Sequence, residues 1–214
     1  VAELARLVRE HGGVIETGAK IERFHTEGQR IVRVGTSRGE FAGEHVVMAL
    51  GAWSPLLGKH LGLRLPMQPG KGYSLTFTRP THAPQHALVL REVAVCVTTW
   101  ASGFRLGSTM EFSGYTDGLN RQRLDALRRG AAVGLREPEG AQLQEEWWGW
   151  RPMSVDEVPI IGPSAQWSNL HLATAHGMLG VSMSTATGEL IAAQLSGTTP
   201  ALDPAPYAPA RFGL

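Results

Sequence analysis

The sequence predicts a mixed α/β and α+β fold, in which α/β segments at both ends flank a mainly antiparallel sheet. Three observations support this class. The first residues combine an amphipathic helix, Ala2 to His11, with short β-type runs. From about Leu65 to Trp147, the runs alternate in polarity as in an antiparallel sheet. The stretch NLHLATAHGMLGVSMS, residues 169–184, predicts a strand, a glycine turn and a helix start.

The remaining elements follow from local patterns. The strands predicted after the first helix are Val14–Thr17, Ile21–His25, Ile31–Thr36 and His45–Leu50, the last typical of a strand covered on both faces. A Pro/Gly-rich joint is predicted from Pro66 to Gly72, and a helix from about Leu119 to Val133. We therefore predict two interleaved parts, with residues 1–65 and 148–214 in one domain and residues 66–147 in the other.

Composition excludes several classes of function. Lys and Arg number 20 against 19 Asp and Glu, so no sequence-wide field would recruit nucleic acid. The single cysteine, Cys96, allows no intramolecular disulfide and favours a reducing compartment. His82 and His86 are separated by Pro84, which argues against a helical metal-ligand pair, and we expect no metal site. No apolar run reaches the length of about 18 residues that a membrane span needs.

The glycine turn after Ala175 has two interpretations. A dinucleotide fingerprint requires glycine where Ala175 stands, and then a second strand with an acidic residue about 20 positions later. Neither is present. Gly177 and Gly180 still allow close approach of the backbone, and the N–H groups of a helix start favour partial negative charge. The turn therefore either holds a ring system or simply packs a helix on a strand.

A second candidate is Arg151, in the segment EEWWGWRPMSVDEVPIIGP. It stands between Trp150 and Pro152, after Trp147 and Trp148. A guanidinium held among aromatic rings is a strong carboxylate receptor, because its planar fork matches both carboxylate oxygens. The alternative is a stacking or ion-pair residue with a structural role.

Taken together, these segments resemble the FAD-dependent D-amino-acid oxidase superfamily, and within it most closely the small subunits of bacterial D-amino-acid dehydrogenases. The resemblance rests on VVMALGAWSPLL, LPMQPGKGYSLTF, FRLGSTMEFSG, the long stretch GWRPMSVDEVPIIGPSAQWSNLHLATAHGMLG and its continuation, and the tail TPALDPAPYAPARF. It corresponds to roughly the C-terminal half of family members. They open with a βαβ unit whose GxGxxG binds the FAD pyrophosphate, and this chain contains no GxGxxG.

The resemblance implies roles for particular residues. Arg151 would bind the substrate carboxylate, with Tyr73 and Arg105 in matching motifs nearby. The cofactor residues would be Ile21, Gly51, Ala52, Trp53, His176, Gly177, Met178, Leu179 and Gly180. The implied reaction passes a hydride from Cα of a D-amino acid to the flavin, and the imino acid is hydrolysed to a 2-oxo acid and ammonia.

The resemblance also implies the surroundings of the protein. The expected partners are a D-amino acid or related amine, the missing N-terminal half or another copy of the chain, and a quinone as electron acceptor. The protein would be cytoplasmic or peripheral to the inner membrane. FAD would bind this chain alone weakly or not at all. A non-catalytic remnant or interaction module that keeps the fold without FAD is the alternative function.

Three departures from close relatives are visible. Ala175 replaces a glycine, Asp156-Glu157 replaces an aspartate-glycine pair, and the strand from Val93 to Thr99 lacks a tyrosine and an arginine. The third departure concerns the substrate pocket, so the resemblance does not assign the preferred amino acid.

Overall fold

The computed structural model describes all residues, 1–214. Its helices are α1 Ala2–Glu10, α2 Ser54–Gly58, α3 Arg121–Gly134 and α4 Ser184–Ser196. Its strands are β1 Ile21–Glu27, β2 Arg30–Thr36, β3 Gly39–Phe41, β4 Val46–Met48, β5 Met67–Phe77, β6 Leu88–Leu90, β7 Val95–Trp100, β8 Gly103–Glu111, β9 Leu143–Ser154, β10 Ile160–Pro163 and β11 Leu170–Thr174.

These strands form three sheets. One is an antiparallel sheet in the order β1-β2-β3, and a second has the order β10-β11-β4, in which β4 runs parallel to β11. The third is antiparallel throughout, in the order β6-β7-β8-β5-β9. The mixture of helices with parallel and antiparallel strands agrees with the predicted mixed α/β content.

The five-stranded sheet has two different faces, because successive side chains of a strand alternate. On one face, Leu75, Phe104 and Val97 pack against Leu124 and Leu127 of α3 in a buried core. We call this the helix face. Since directly paired residues share a face, the register places on the opposite face a set that we call the arginine face: Gly70, Gly72, Ser74, Thr76, Arg105, Gly107, Glu145, Trp147, Gly149 and Arg151.

The two end segments of the chain are joined through a second buried core, to which both β4 and β11 contribute. Parallel pairing of β4 with β11 brings residues 46–48 beside residues 170–172. Buried Asn169 strengthens the junction, because its side chain accepts from Ile31 N at 3.0 Å and donates to Ile31 O at 2.9 Å. No helix is long and apolar enough to cross a membrane.

Several predicted elements are wrong. Residues 14–17 form no strand and are exposed, with no neighbouring strand to pair with. The predicted joint Pro66–Gly72 lies almost wholly within β5, because its glycines lie under side chains of neighbouring strands rather than in a turn. Val47 in β4 is 40% exposed, so residues 1–214 by themselves cover only one face of this strand.

Two boundaries also differ from the prediction. The predicted division between residues 147 and 148 falls inside β9, which is continuous from Leu143 to Ser154. The last helix begins at Ser184 rather than at the glycine turn, and residues 177–183 are non-helical. Positive φ angles of 67° at Ala175 and 56° at Gly177 turn the chain before a helix can start.

Candidate active site

Arg151 lies across the neighbouring strand on the arginine face. In the register of β5 with β9 it pairs with Gly70, and its guanidinium reaches over Gly72. A Cβ atom built at Gly72 would lie 1.8 Å from Nη1 of Arg151 and 2.2 Å from its Cζ. The guanidinium therefore rests on the bare backbone of β5.

The charge of Arg151 has no carboxylate partner in the chain. Its one hydrogen bond is a long one, from Nη1 to the backbone carbonyl of Thr109 at 3.5 Å. The ion pairs of the chain, such as Arg105–Glu145, do not include it. The side chain is half-buried, and this burial lowers the pKa of Arg151 from its usual value. A desolvated cation without a counterion favours binding of an anion.

Of the three tryptophans predicted to surround Arg151, only Trp147 shares its face and its cavity. Because β9 is an extended strand, Trp148 and Trp150 project to the opposite side from Arg151. Trp150 makes edge contacts there with Trp53 and Tyr115, at ring separations of 5.5 and 5.3 Å. Arg151 makes no cation–π contact. The cations that do so are Lys71, Arg105, Arg128 and Arg211.

Tyr73 and Arg105 are placed differently from the expectation. The Tyr73 side chain belongs to the core of the helix face, and its hydroxyl donates to Glu111 at 3.1 Å. Burial, with help from Glu111, raises the pKa of Tyr73 to about 12. Tyr73 borders the same cavity as Arg105 and Arg151, but its ring packs in the core of the helix face, on the opposite side of β5 from Arg151.

Arg105 does share the arginine face, but its guanidinium is already partnered. Nε donates to Thr76 at 2.8 Å and Nη2 to Glu145 at 2.9 Å. Arg105 and Arg151 line one cavity with a volume of ≈ 320 Å³. Its walls also include Ser74 and Trp147. Of the two arginines, only Arg151 has a charge left for a carboxylate.

A second, larger cavity adjoins the glycine turn, with a volume of ≈ 580 Å³. It brings together four of the predicted cofactor residues, Gly51, His176, Gly177 and Gly180. Its other walls come from β4, β9, β11 and α4, and they consist of Val47, Ala49, Pro152, Ala173, Thr174, Ser184, Thr187, Gly188, Ile191, Ala192 and Leu195. Small and apolar side chains predominate, which suits a flat apolar ring more than a phosphate.

The other predicted cofactor residues lie outside this cavity. Ala52 is buried beside Gly51, and its carbonyl accepts from the Tyr115 hydroxyl at 2.5 Å. Trp53, Met178 and Leu179 are exposed to solvent. Ile21 begins β1 in a different sheet.

Hydrogen bonds fix the glycine turn on both sides. Gly177 N donates to the carbonyl of Pro152 at 2.9 Å, and His176 forms an isolated bridge with Met153. The His176 ring is 2.9 Å from the Thr187 hydroxyl through Nε2, which ties the turn to α4. Burial lowers the pKa of His176, so the ring is held neutral.

Several residues of this region were missed by the sequence analysis. The Thr174 hydroxyl donates to the Gly51 carbonyl at 3.1 Å and lies 2.9 Å from the Ser54 hydroxyl, which fixes the loop after β4. The sequence predicts Gly72 in a joint, whereas it lies in β5 beneath Arg151. Threonines and glycines carry no distinctive sequence signal at these spacings, and only the strand register shows what they contact. No cluster of three or more His, Cys, Asp or Glu side chains is placed to hold a metal ion.

The fold therefore places one cavity at the glycine turn and another beside Arg151. A model of the family described as FAD dependent oxidoreductase matches residues 1–194. The chain belongs to this family, which confirms the family expected from the sequence.

Two curated relatives from this comparison carry the same name. The chain is 39% identical to D-amino acid dehydrogenase of Granulibacter bethesdensis, with 98% of the chain covering 50% of that protein. It is 37% identical to the D-amino acid dehydrogenase of Rhizorhabdus wittichii, with 94% of the chain and 48% of that protein covered. The chain thus spans about half the length of the curated relatives that it matches.

Solved structures show the same fold. Glycine oxidase from Geobacillus kaustophilus superposes with a TM-score of 0.87 at 25% identity, over 97% of this chain and 56% of that one. L-proline dehydrogenase from P. horikoshii superposes with a TM-score of 0.85 at 22% identity, over 99% of this chain and 58% of that one.

Proposed function

We propose that the protein containing this chain carries out FAD-dependent oxidative deamination of a D-amino acid. One observation carries the proposal: Arg151 is a half-buried guanidinium without a carboxylate partner, and it lies next to a strand end that is bonded to the glycine turn. The names of the relatives at 37–39% identity support the same choice of substrate.

The cavity at the glycine turn fits a flavin ring. A Cβ atom at Gly51 would meet nothing within 4 Å, and one at Gly177 would meet only Met153, at 3.6 Å or more. The backbone is therefore open to close approach by a flat group at both positions. His176, Gly177 and Gly180 would hold the ring, and Gly51 would approach it from the turn that follows β4. Bound FAD would supply the acceptor for a hydride.

On the substrate side, Arg151 would bind the carboxylate through both oxygens and so orient Cα. The Cα–H bond breaks as its hydrogen leaves with the electron pair, the amino acid becomes an imino acid, and water releases a 2-oxo acid and ammonia. Oxygen or a quinone would take the two electrons afterwards.

We also propose that the chain contributes to two domains. Residues 1–65 and 155–214 would belong to the FAD-binding domain, and residues 66–154, which include the whole of β9, to the substrate domain. Parallel pairing of β4 with β11, which unites the two ends, supports this division. A GxGxxG-bearing segment outside residues 1–214 would bind the pyrophosphate and cover exposed apolar side chains, among them Val47, Met178, Leu179 and Val181.

Two experiments test the proposal. Titration of FAD into the isolated chain, followed by flavin fluorescence, should show weak binding or none. Anaerobic mixing of the FAD-loaded protein that contains this chain with D-amino acids should bleach the flavin band at about 450 nm. The matching L-amino acids serve as controls. A flavin that no amino acid reduces would favour the non-catalytic alternative.

A further inference from the structure

The guanidinium of Arg151 lies on Gly72 with three of its atoms. A Cβ atom at Gly72 would be 1.8 Å from Nη1, 2.2 Å from Cζ and 2.3 Å from Nη2. Real Cβ atoms do not approach other heavy atoms so closely. Since all three distances are short, the guanidinium covers the α-carbon of Gly72 directly, and any other residue at position 72 would displace it.

The need for glycine here is a matter of space. Gly72 has no left-handed φ angle, so its backbone is available to any residue. Its neighbours on the arginine face are similar: a Cβ atom at Gly149 would lie 2.3 Å from the Trp147 ring, and one at Gly70 would lie 2.6 Å from Met110. Glycine in a strand interior is unfavourable in itself. The three glycines therefore serve side chains that lie flat on the sheet.

We propose that Gly72 is a positioning residue that sets the height and tilt of the Arg151 guanidinium. This inference rests on the proposed function, in which Arg151 binds the substrate carboxylate. A bidentate pair requires both N–H groups to point along the carboxylate plane. With no Cβ beneath it, the guanidinium stays against β5 and leaves the cavity of ≈ 320 Å³ free for the rest of the substrate.

Gly72→Ala tests the inference with one methyl group. The clash is with the end of a flexible side chain, so Arg151 can swing away while the sheet stays intact. A displacement of about 1 Å can lower the rate by about 100-fold. In the FAD-loaded protein that contains this chain, we expect kcat/KM for D-amino acids to fall about 10- to 100-fold. Binding of propionate, a carboxylate without an amino group, should weaken in parallel.

Two further variants make the test specific. Gly35→Ala is a matched control, because Gly35 is also a strand glycine and its new Cβ would lie 2.8 Å from an arginine side chain, that of Arg23 in β1. It lies in a different sheet and should leave propionate binding unchanged. In an Arg151→Ala background, Gly72→Ala should have no additional effect, since the side chain through which it acts is gone.

The outcomes separate the inference from the proposed function. Normal propionate binding in Gly72→Ala, with a loss in Arg151→Ala, would overturn the inference and leave the function standing. An equal loss in Gly35→Ala, or a Gly72→Ala effect that persists without Arg151, would also overturn it. Near-normal kinetics in Arg151→Ala would remove the proposed role of Arg151 and the inference together.

Discussion

The Gly177 N–H group donates a hydrogen bond of 2.9 Å to the carbonyl of Pro152, the residue that follows Arg151 in β9. The isolated bridge between Met153 and His176 continues this contact. The glycine turn is thereby attached to the end of the strand that carries the candidate carboxylate receptor. Binding of a ring at the turn and of a carboxylate at Arg151 would thus share one rigid support.

The position of Tyr73 on the helix face predicts the behaviour of Tyr73→Phe. The variant loses the hydrogen bond from the hydroxyl to Glu111 but keeps the buried ring. We expect the free energy of unfolding to fall by about 1 kcal/mol. Turnover per folded molecule should stay close to that of the parent protein. Urea denaturation and kcat/KM on the same preparations check this, and a loss of turnover without a loss of stability would return Tyr73 to the active site.

Glu157 offers a test of backbone strain. It is exposed and has a φ of 59°, a left-handed conformation that favours glycine. Glu157→Gly should raise the free energy of unfolding by about 1 kcal/mol. Glu157→Ala is the control, because it removes the same side chain but keeps Cβ and the strain. Equal stabilities of the two variants, measured by urea denaturation, would contradict this explanation.

His171, which is buried, and His176, which is half-buried, predict how stability depends on pH. Burial lowers the pKa values of His176 and His171 from the usual 6.5. Below pH 6.5 the unfolded chain therefore binds more protons than the folded chain, so stability rises with pH in that range. The two neutral histidines contribute fully to the free energy of unfolding above pH 6.5. This contribution is lost as the pH falls from 6.5 through their lower folded-state pKa values.

His176→Gln isolates the share of one histidine in this effect. Glutamine cannot take up the proton, yet it can still bond to the Thr187 hydroxyl. The usual histidine pKa of 6.5 lies midway between about pH 5.5 and about pH 7.5. Between these two pH values, the free energy of unfolding should fall less in this variant than in the parent chain. Identical losses in the parent chain and the variant would show that His176 does not titrate as its burial predicts.

Much of the fold could be predicted from periodicity. The amphipathic pattern of Ala2–Glu10, the alternation in β1 and β2, and the helix that starts after Asn120 are local signals, and all appear close to the predicted bounds. The stretch 66–72 could not be predicted, because proline and glycine normally indicate a turn. Here the glycines of β5 accommodate Arg151 and Met110, which come from other strands.

The candidate site was predictable only in part. Motif resemblance pointed to Arg151 and to the turn at His176, and the structure connects the two. It could not reveal that Tyr73 and Arg151 project from opposite faces, since that depends on the strand register. The predicted aromatic surroundings of Arg151 are reduced to Trp147 for the same reason: in a strand, Trp150 and Arg151 point in opposite directions, although they are adjacent in sequence.

The central claim is that Arg151 binds the substrate carboxylate as a bidentate pair. Loss of one partner of a desolvated charge pair costs about 2–5 kcal/mol. In the FAD-loaded protein that contains this chain, Arg151→Ala should therefore lower kcat/KM for D-amino acids by about 30- to several-thousand-fold. Arg151→Lys keeps the charge but loses the planar pair of N–H groups, so its kcat/KM should lie between those of the parent protein and Arg151→Ala.

The deciding measurement is kcat/KM together with the melting temperature for Arg151→Ala, Arg151→Lys and the parent protein on the same preparations. The account predicts a graded loss of kcat/KM, with lysine between arginine and alanine and with little change in melting temperature. A lower melting temperature with near-normal kcat/KM per folded molecule in Arg151→Ala would contradict it, because Arg151 would then be a structural residue only.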